Sequence, residues 1–597
     1  MVSMHRFALR VLAKGLSAAI FGLEVLSDLT PGVRMTGRRR LPQNMAAGTA
    51  GAEVATWAAV SPSLLPRPWW VTAANVALGQ GMGHLSASAL AFGLKRAFRV
   101  YDVRPQDRIP YRTLHAVLGA GTVLVGIRSI RNQEAQAQLV GKENERGPRQ
   151  AAAGVALGTL GYGVLLILGE AAQAATTKLS RRAQRFLPRW VAWPLAAGVL
   201  GASVIALSDR VVWRRFIRTA SVRAERLNRL IFPDSMMPWE PERSGSPWSH
   251  EPWTAIGAQG RRFVTRGPRA RDIQDIMGYD HAHEPIRIVA GLVPGRDFLG
   301  SARQVIAEME RTGAFRRDTI VVHMPAGSGW VNNYSTSAYE FLTRGDCATV
   351  TLQYSYLPSV FAFLVDRDAP GAAARVLLDM VHARMASLPE DDRPRLYLAG
   401  ESLGAFALVE NFEELEHLLT ACDGAMFTGP PRMTGFFRRL AASRDRGSLE
   451  RLPLIDGGRH VRYVSNPAHL AADAFGAPYP RAWQRPRVVV AQHASDAIVW
   501  WDQQLAWRRP DWLREQVPPT LHADAFRRLQ WAPFITWWQI ALDQVNSLNV
   551  PGGHGHNYFE ETFWYWDAVL GSQARVPLDA AKADRMRKFI VKTQPRG

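Results

Sequence analysis

"RLYLAGESLGAFALVENF", residues 395–412, decides how the chain is read. A short apolar run at 395–400 has the look of a strand, and the residues after Gly404 have a helical pattern. Between them lies Gly400-Glu401-Ser402-Leu403-Gly404. Gly-x-Ser-x-Gly at a strand-to-helix turn is the form of a nucleophile elbow, in which a strained turn lifts the serine hydroxyl clear of the sheet. The two glycines remove side chains that would collide with the neighbouring strand and helix. The helix start behind Ser402 aims its N–H groups, Leu403 first, at the place where an oxyanion would develop.

A serine needs a base at neutral pH, and the base needs an orienting acid; in this arrangement they follow the serine in the order acid, then histidine. "RVVVAQHASDAIVWW" (487–501) delivers Asp496 just beyond an apolar strand. "VPGGHGHNYFEETFWYW" (550–566) offers His554 and His556 in a glycine-rich turn before an aromatic helix. His554, directly after Gly552-Gly553, suits the mobile loop position of a base better, whereas His556 suits a helix cap or pocket wall; His554 is therefore the expected base, with His556 as the alternative. A paired-histidine metal site lacks a third ligand at workable spacing. No cofactor is expected. The second oxyanion donor is expected after the strand at 319–325, where "PAGSGW" places Gly327, Ser328 and Gly329.

On either side of this stretch, "IRIVAGL" (286–292), "TIVVHMP" (319–325), "ATVTLQYSY" (348–356), "GAMFTG" (424–429) and "RVVVAQH" (487–493) read as further strands, alternating with helical segments. That alternation predicts a mostly parallel sheet with helices on both faces, whose active site lies at the carboxyl ends of the strands. Residues 430–486 and 500–550 read as long insertions. The second carries Trp500, Trp501, Trp507, Trp512, Trp531, Trp537 and Trp538, which suit either a lid over an apolar pocket or ordinary core. Cys347 and Cys422 make no disulfide framework.

The charge is unevenly spread. Residues 1–230 hold 31 Lys and Arg against 11 Asp and Glu, while the rest of the chain is balanced. These arginines sit in short segments between uncharged runs, the pattern of membrane spans rather than of a nucleic-acid surface, so no nucleic-acid partner is expected. The uncharged runs cover 27 residues after Arg67, 20 after Arg149 and 19 after Arg189, each long enough to cross a bilayer. Residues 11–28, 41–66 and 113–127 are weaker spans, giving four to six in all. Residues 209–230 read as a basic amphipathic helix on an anionic membrane surface. The expected organisation is a multi-spanning membrane domain (1–230), a Pro/Ser/Trp-rich linker (231–284), a catalytic domain (285–575) and a C-terminal tail (576–597).

"ERSGSPWSHEPWTAIGAQGRRFV", "AEMERTGAF", "GSGWVN", "QYSYLPS", "FLVDR", "LPEDDRPRLYLAGESLGAF" and "GHGHNY" together resemble a bacterial α/β-hydrolase family whose catalytic domain is fused to a multi-spanning N-terminal domain. The resemblance implies an integral membrane serine hydrolase, with Ser402 carried over as its nucleophile. An esterase or lipase-like enzyme of a bacterial inner membrane, with membrane lipids around it and a small or lipidic ester as substrate, is the expected function. A membrane acyltransferase with the same triad and a non-catalytic scaffold with a relic fold are the alternatives.

Overall fold

The computed structural model describes residues 45–98, 108–141, 148–516, 529–574 and 577–593. The chain forms two compact units: one gathers the N-terminal helices together with residues 529–542, the other holds nearly everything after Arg214.

The first unit contains α1 (Met45–Ala59), α2 (Trp69–Phe98), α3 (Arg108–Leu139), α4 (Pro148–Ala183) and α5 (Arg189–Leu207). Small residues let the helices approach closely. A Cβ on Gly51 of α1 would run into the backbone of Gly83 on α2, and one on Gly158 of α4 would run into the carbonyl of Ala73. Among the described residues two helices are long and apolar enough to cross a membrane, α4 and the continuous helix Arg189–Asn228. Their apolar side chains face largely outward: Leu168 is 60% exposed and Ile205 71%. α2, expected as a span, is 30 residues long but not apolar enough to join them. The weaker span at 11–28 lies outside the described residues.

The helix Ile535–Asp543 belongs to this first unit, although sequence order puts it inside the catalytic domain. Its Gln539 side chain donates to the carbonyls of Ala58 (2.9 Å) and Ala59 (3.2 Å), and Ile535 packs on Ala59, Val60 and Val76. The second tryptophan-rich segment is therefore divided. Trp537 and Trp538 lie on this helix, whereas Trp500 and Trp512 are fully buried against each other in the second unit, 5.3 Å between rings.

The second unit opens with α6 (Arg214–Asn228), α7 (Ala258–Thr265) and α8 (Ala270–Met277). Residues 231–284, expected as a linker, are part of its body: the Arg243 guanidinium is fully buried and donates to the carbonyls of Val264, Arg266 and Pro268. α6 is docked on this unit too, with Ala224 in the core and Asn228 Oδ1 accepting from Gln353 Nε2 at 2.9 Å.

Seven strands form one sheet: β1 (Ile286–Ala290), β2 (Thr319–Met324), β3 (Cys347–Leu352), β4 (Arg395–Glu401), β5 (Gly424–Thr428), β6 (Val461–Val464) and β7 (Arg487–Ala491). All pairings are parallel and the order is β1-β3-β2-β4-β5-β7-β6, which puts β4 at the centre. Strands covered on both faces read as continuous apolar runs rather than alternating ones, as IRIVA and RVVVA do. One face is covered by α9 (Phe298–Thr312) and α12 (Ala369–Ala386), which bring Val305, Met309, Leu377 and Val381 into the core. α10 (Asn333–Leu342) and the aromatic helix Thr562–Leu570 cover the other with Tyr339, Trp566 and Val569. Two more helices border the site: α11 (Ser359–Val365) and α13 (Leu403–Val409). The expected C-terminal tail is instead mostly the helix Ala580–Thr593, with Met586 and Ile590 buried.

β6 falls inside a stretch expected to be an insertion. Its Arg462 is sandwiched between the rings of Tyr479 (4.1 Å) and Trp483 (4.4 Å), which lets a charged residue occupy a buried strand. β1 carries another buried arginine. Arg287 makes a two-pronged ion pair with Glu340 of α10, at 2.6 and 2.7 Å, with both side chains fully out of solvent.

Candidate active site

Ser402 follows β4 directly with φ 54° and ψ −120°, a backbone conformation that an L-residue holds only when its surroundings enforce it. The enforcement is visible. The Ser402 N–H donates to the carbonyl of Thr428 at the end of β5, 2.9 Å away. A Cβ at Gly404 would strike the Met324 carbonyl of β2, and one at Gly400 would strike the start of α13. The sheet, turn and helix can meet this closely only with glycine at both positions.

Asp496 lies beyond β7, fully buried. Its Oδ1 accepts from the Ile498 N–H at 2.9 Å; its Oδ2 accepts from His556 Nδ1 and from the Tyr558 hydroxyl, each at 2.7 Å. It is thus His556, not His554, that the structure joins to Asp496. His554 is half-buried, and its backbone turns back to Asn557. The loop selects between the two by gripping the residue that separates them. The Gly555 N–H donates to Ser495 Oγ at 2.8 Å, its carbonyl meets His493 Nδ1 at 2.8 Å, and the His556 N–H donates to the Ser547 carbonyl at 2.8 Å. Nδ1 of His556 faces an acceptor carboxylate, so it carries the proton. Nε2, the position of a base's lone pair, is buried with no hydrogen-bond partner among the described residues.

Sequence reasoning missed three groups here. Tyr558 steadies Asp496. His493 stacks on the Tyr558 ring at 4.0 Å and holds Glu561 through Nε2 at 2.7 Å. Glu401, inside the elbow itself, is buried; its Oε2 accepts from Asn332 Nδ2 and, at 3.4 Å, from Thr428 Oγ1, while its Oε1 has no partner among the described residues. Burial pushes the Glu401 carboxyl up to about 7, against the pull of His556. For His556, burial acts to lower the pKa, but the charge and hydrogen bond of Asp496, with Glu401, outweigh burial and the opposing His493 and lift it above the usual histidine value. The only sequence signal for Glu401 was its place in the pentapeptide; Tyr558 and His493 gave none beyond lying near other candidates.

Of the expected oxyanion donors, the Gly327 N–H is taken by the Tyr354 hydroxyl at 2.9 Å; in the same loop the Ala326 N–H donates to the Trp330 carbonyl at 2.8 Å. The N–H groups of Leu403, Ser328 and Gly329 are not so committed among the described residues. Among the described residues no cluster of three or more ligating side chains suits a metal ion.

A strained serine turn at the centre of a parallel sheet flanked by helices marks the second unit as a hydrolase-fold domain of the α/β type. Two family models agree: one described as "Alpha/beta-hydrolase family" matches residues 286–585, and one described as "Alpha/beta-hydrolase family N-terminus" matches residues 60–268. The chain belongs to this α/β-hydrolase family. No curated protein and no solved structure matches it.

Proposed function

We propose that the chain is a membrane-embedded serine hydrolase acting on carboxylic esters. Ser402 attacks the ester carbonyl, His556 Nε2 takes the hydroxyl proton and passes it to the leaving alcohol, and Asp496 orients the imidazole. The tetrahedral oxyanion is held by the Leu403 N–H with that of Ser328 or Gly329. Water, activated by the same histidine, then releases the acid from Ser402. The His556–Asp496 hydrogen bond carries this reading, because it sets a buried imidazole in the tautomer of a general base, with Glu401 of the serine turn among the charges acting on it. The outward apolar faces of α4 and α5 support the membrane setting. Exposed Val360, Leu364 and Val365 on α11 support an apolar substrate: that helix begins where a Cβ on Gly327 would meet the Ser359 N–H.

The test is labelling of detergent-solubilised protein with a fluorophosphonate, alongside alkaline carbonate washing of the membranes. Labelling is expected in wild type and absent in Ser402→Ala, and the protein is expected to stay with the carbonate-washed membrane. Folded wild type that never labels would sink the enzyme reading. Release by carbonate would sink the embedded one.

Glu401 gives a pH prediction. kcat/KM requires neutral His556 in the free enzyme, so it rises with pH through the His556 pKa. The charged or titratable groups acting on that ring are Asp496, Glu401 and His493. The Glu401 carboxyl, at about 7, is only partly ionised over that limb; Glu401→Gln removes this partial negative charge, lowers the His556 pKa and moves the acid limb of the profile to lower pH. A limb that stays in place would show that Glu401 does not act on the histidine.

A further inference from the structure

Beside the serine turn lies a pocket of about 120 Å³ that the triad does not use. Its polar wall is made by Arg262 and Arg266, on and just after α7, and by Asn333 at the start of α10; Trp330, Tyr334 and Phe559 form its aromatic wall.

Three features of this wall favour an anion. The first is charge: both arginines share one carboxylate, Asp234, which pairs with Arg266 and lies 3.7 Å from Arg262 Nε. One guanidinium charge is left over. The second is a buried donor. Asn333 is 8% exposed, and its Oδ1 is held by Arg287 Nη1 at 3.3 Å and Ser337 Oγ at 3.4 Å. Its Nδ2 is thereby turned away from those donors, and neither it nor Arg266 Nε has a partner among the described residues. A buried N–H without an acceptor is costly unless a ligand supplies one. The third is the ten-residue helix α10, whose N-terminal residues Asn333 and Tyr334 line the pocket; the Asn332 side chain already caps its Tyr334 and Ser335 N–H groups, so the helix contributes its dipole rather than free donors.

The pocket is tied to the catalytic elements on two sides. Asn332, which also lines it, donates to Glu401 next to the serine, and Trp330 closes the turn that offers the second oxyanion donor. Phe559 follows His556 by three residues.

We infer that this pocket is an anion subsite, and that the ester cleaved at Ser402 carries a second group, a carboxylate or a phosphate, which seats against Arg262, Arg266 and Asn333. The inference rests on the reading of Ser402 as the nucleophile. Aromatic walls suit the apolar linker between anion and ester, and the small volume suits one anionic group rather than a whole acyl chain.

The experiment uses the full detergent-solubilised chain and three 4-nitrophenyl esters of equal length, ending in a methyl, a carboxylate or a phosphate. Wild type is expected to favour at least one anionic ester in kcat/KM by about 10- to 100-fold over the methyl ester, since charged groups paired to a substrate discriminate strongly against its neutral analogue. In Arg262→Gln and Arg266→Gln that ratio is expected to fall towards one. A ratio taken within one preparation does not depend on how much of a variant folds. Preference for the phosphate ester points to a phosphorylated headgroup, and preference for the carboxylate ester to a diacid or free-acid end. Equal rates for all three, or a preference that survives both substitutions, overturns the subsite.

Calorimetric titration of Ser402→Ala protein with inorganic phosphate and with acetate separates this inference from the reading beneath it. Anion binding that is lost in the arginine variants, in a protein that never labels with fluorophosphonate, keeps the subsite and removes the serine mechanism. Labelling without anion binding or anionic preference keeps the mechanism and removes the subsite.

Discussion

His556→Ala is expected to lower kcat for an activated ester by about 10⁴-fold or more, while His554→Ala retains activity within a few-fold. The two histidines sit in the same glycine-rich turn, so the comparison isolates geometry from composition. Only His556 reaches Asp496, at 2.7 Å, and only its far nitrogen is held in the buried site without another partner. On the proposed mechanism, removing the ring leaves the serine hydroxyl without a proton acceptor; it also leaves the buried Asp496 carboxylate supported, among the described residues, by the Tyr558 hydroxyl and the Ile498 N–H alone. Steady-state kinetics with 4-nitrophenyl butyrate, corrected for folded protein, measures both variants. If His554→Ala lost activity as deeply as His556→Ala, the role of base could not be given to His556.

The largest effect on stability is expected at Arg287 and Glu340. Replacing Arg287 by Met alone strands the Glu340 carboxylate where no water reaches it, a loss of about 3–5 kcal/mol. It also removes the donor to the Phe263 carbonyl at 2.6 Å, which ties α7 to β1. Replacing both members, Arg287→Met with Glu340→Leu, is expected to recover most of that loss, because two well-packed apolar side chains carry no desolvation cost. Unfolding of the second unit, followed by near-ultraviolet circular dichroism in denaturant, reads the difference. A double variant no more stable than the single one would show that the guanidinium matters for its carbonyl contact rather than for its charge.

What the chain discloses before folding depends on how local the physics is. The elbow was legible because Gly400, Ser402 and Gly404 meet a local steric need, written within five residues. Asp496 was legible for a similar reason, since a carboxylate just past a run of valines marks a strand end. The choice of histidine was not legible. It turns on Ser495, His493 and Ser547 gripping the loop from elsewhere in the sequence, and nothing in the spacing of His554 and His556 encodes those partners. β6 was hidden because Arg462 breaks an already short apolar run, and only Tyr479 and Trp483, brought back by the fold, make a buried arginine tolerable there. Gln539 carried no readable signal either. In the middle of an apolar helix it resembles a solvent-facing residue, yet its amide serves the carbonyls of Ala58 and Ala59, some 480 positions earlier.

That last contact bears on how the protein is made. The first unit is not finished when its N-terminal helices have been synthesised; the helix that caps Ala58 and Ala59 leaves the ribosome only after all seven strands of the sheet have been made. Until then, among the described residues, the Ala58 carbonyl has only its local partner Ser61 and the Ala59 carbonyl only the Arg67 guanidinium, and the amide that bridges the two is missing. The gene is consequently not two cassettes joined end to end. Cutting it at any point between 214 and 529 deprives the helical unit of a piece of itself, and hands the remaining half an apolar helix with no core to enter.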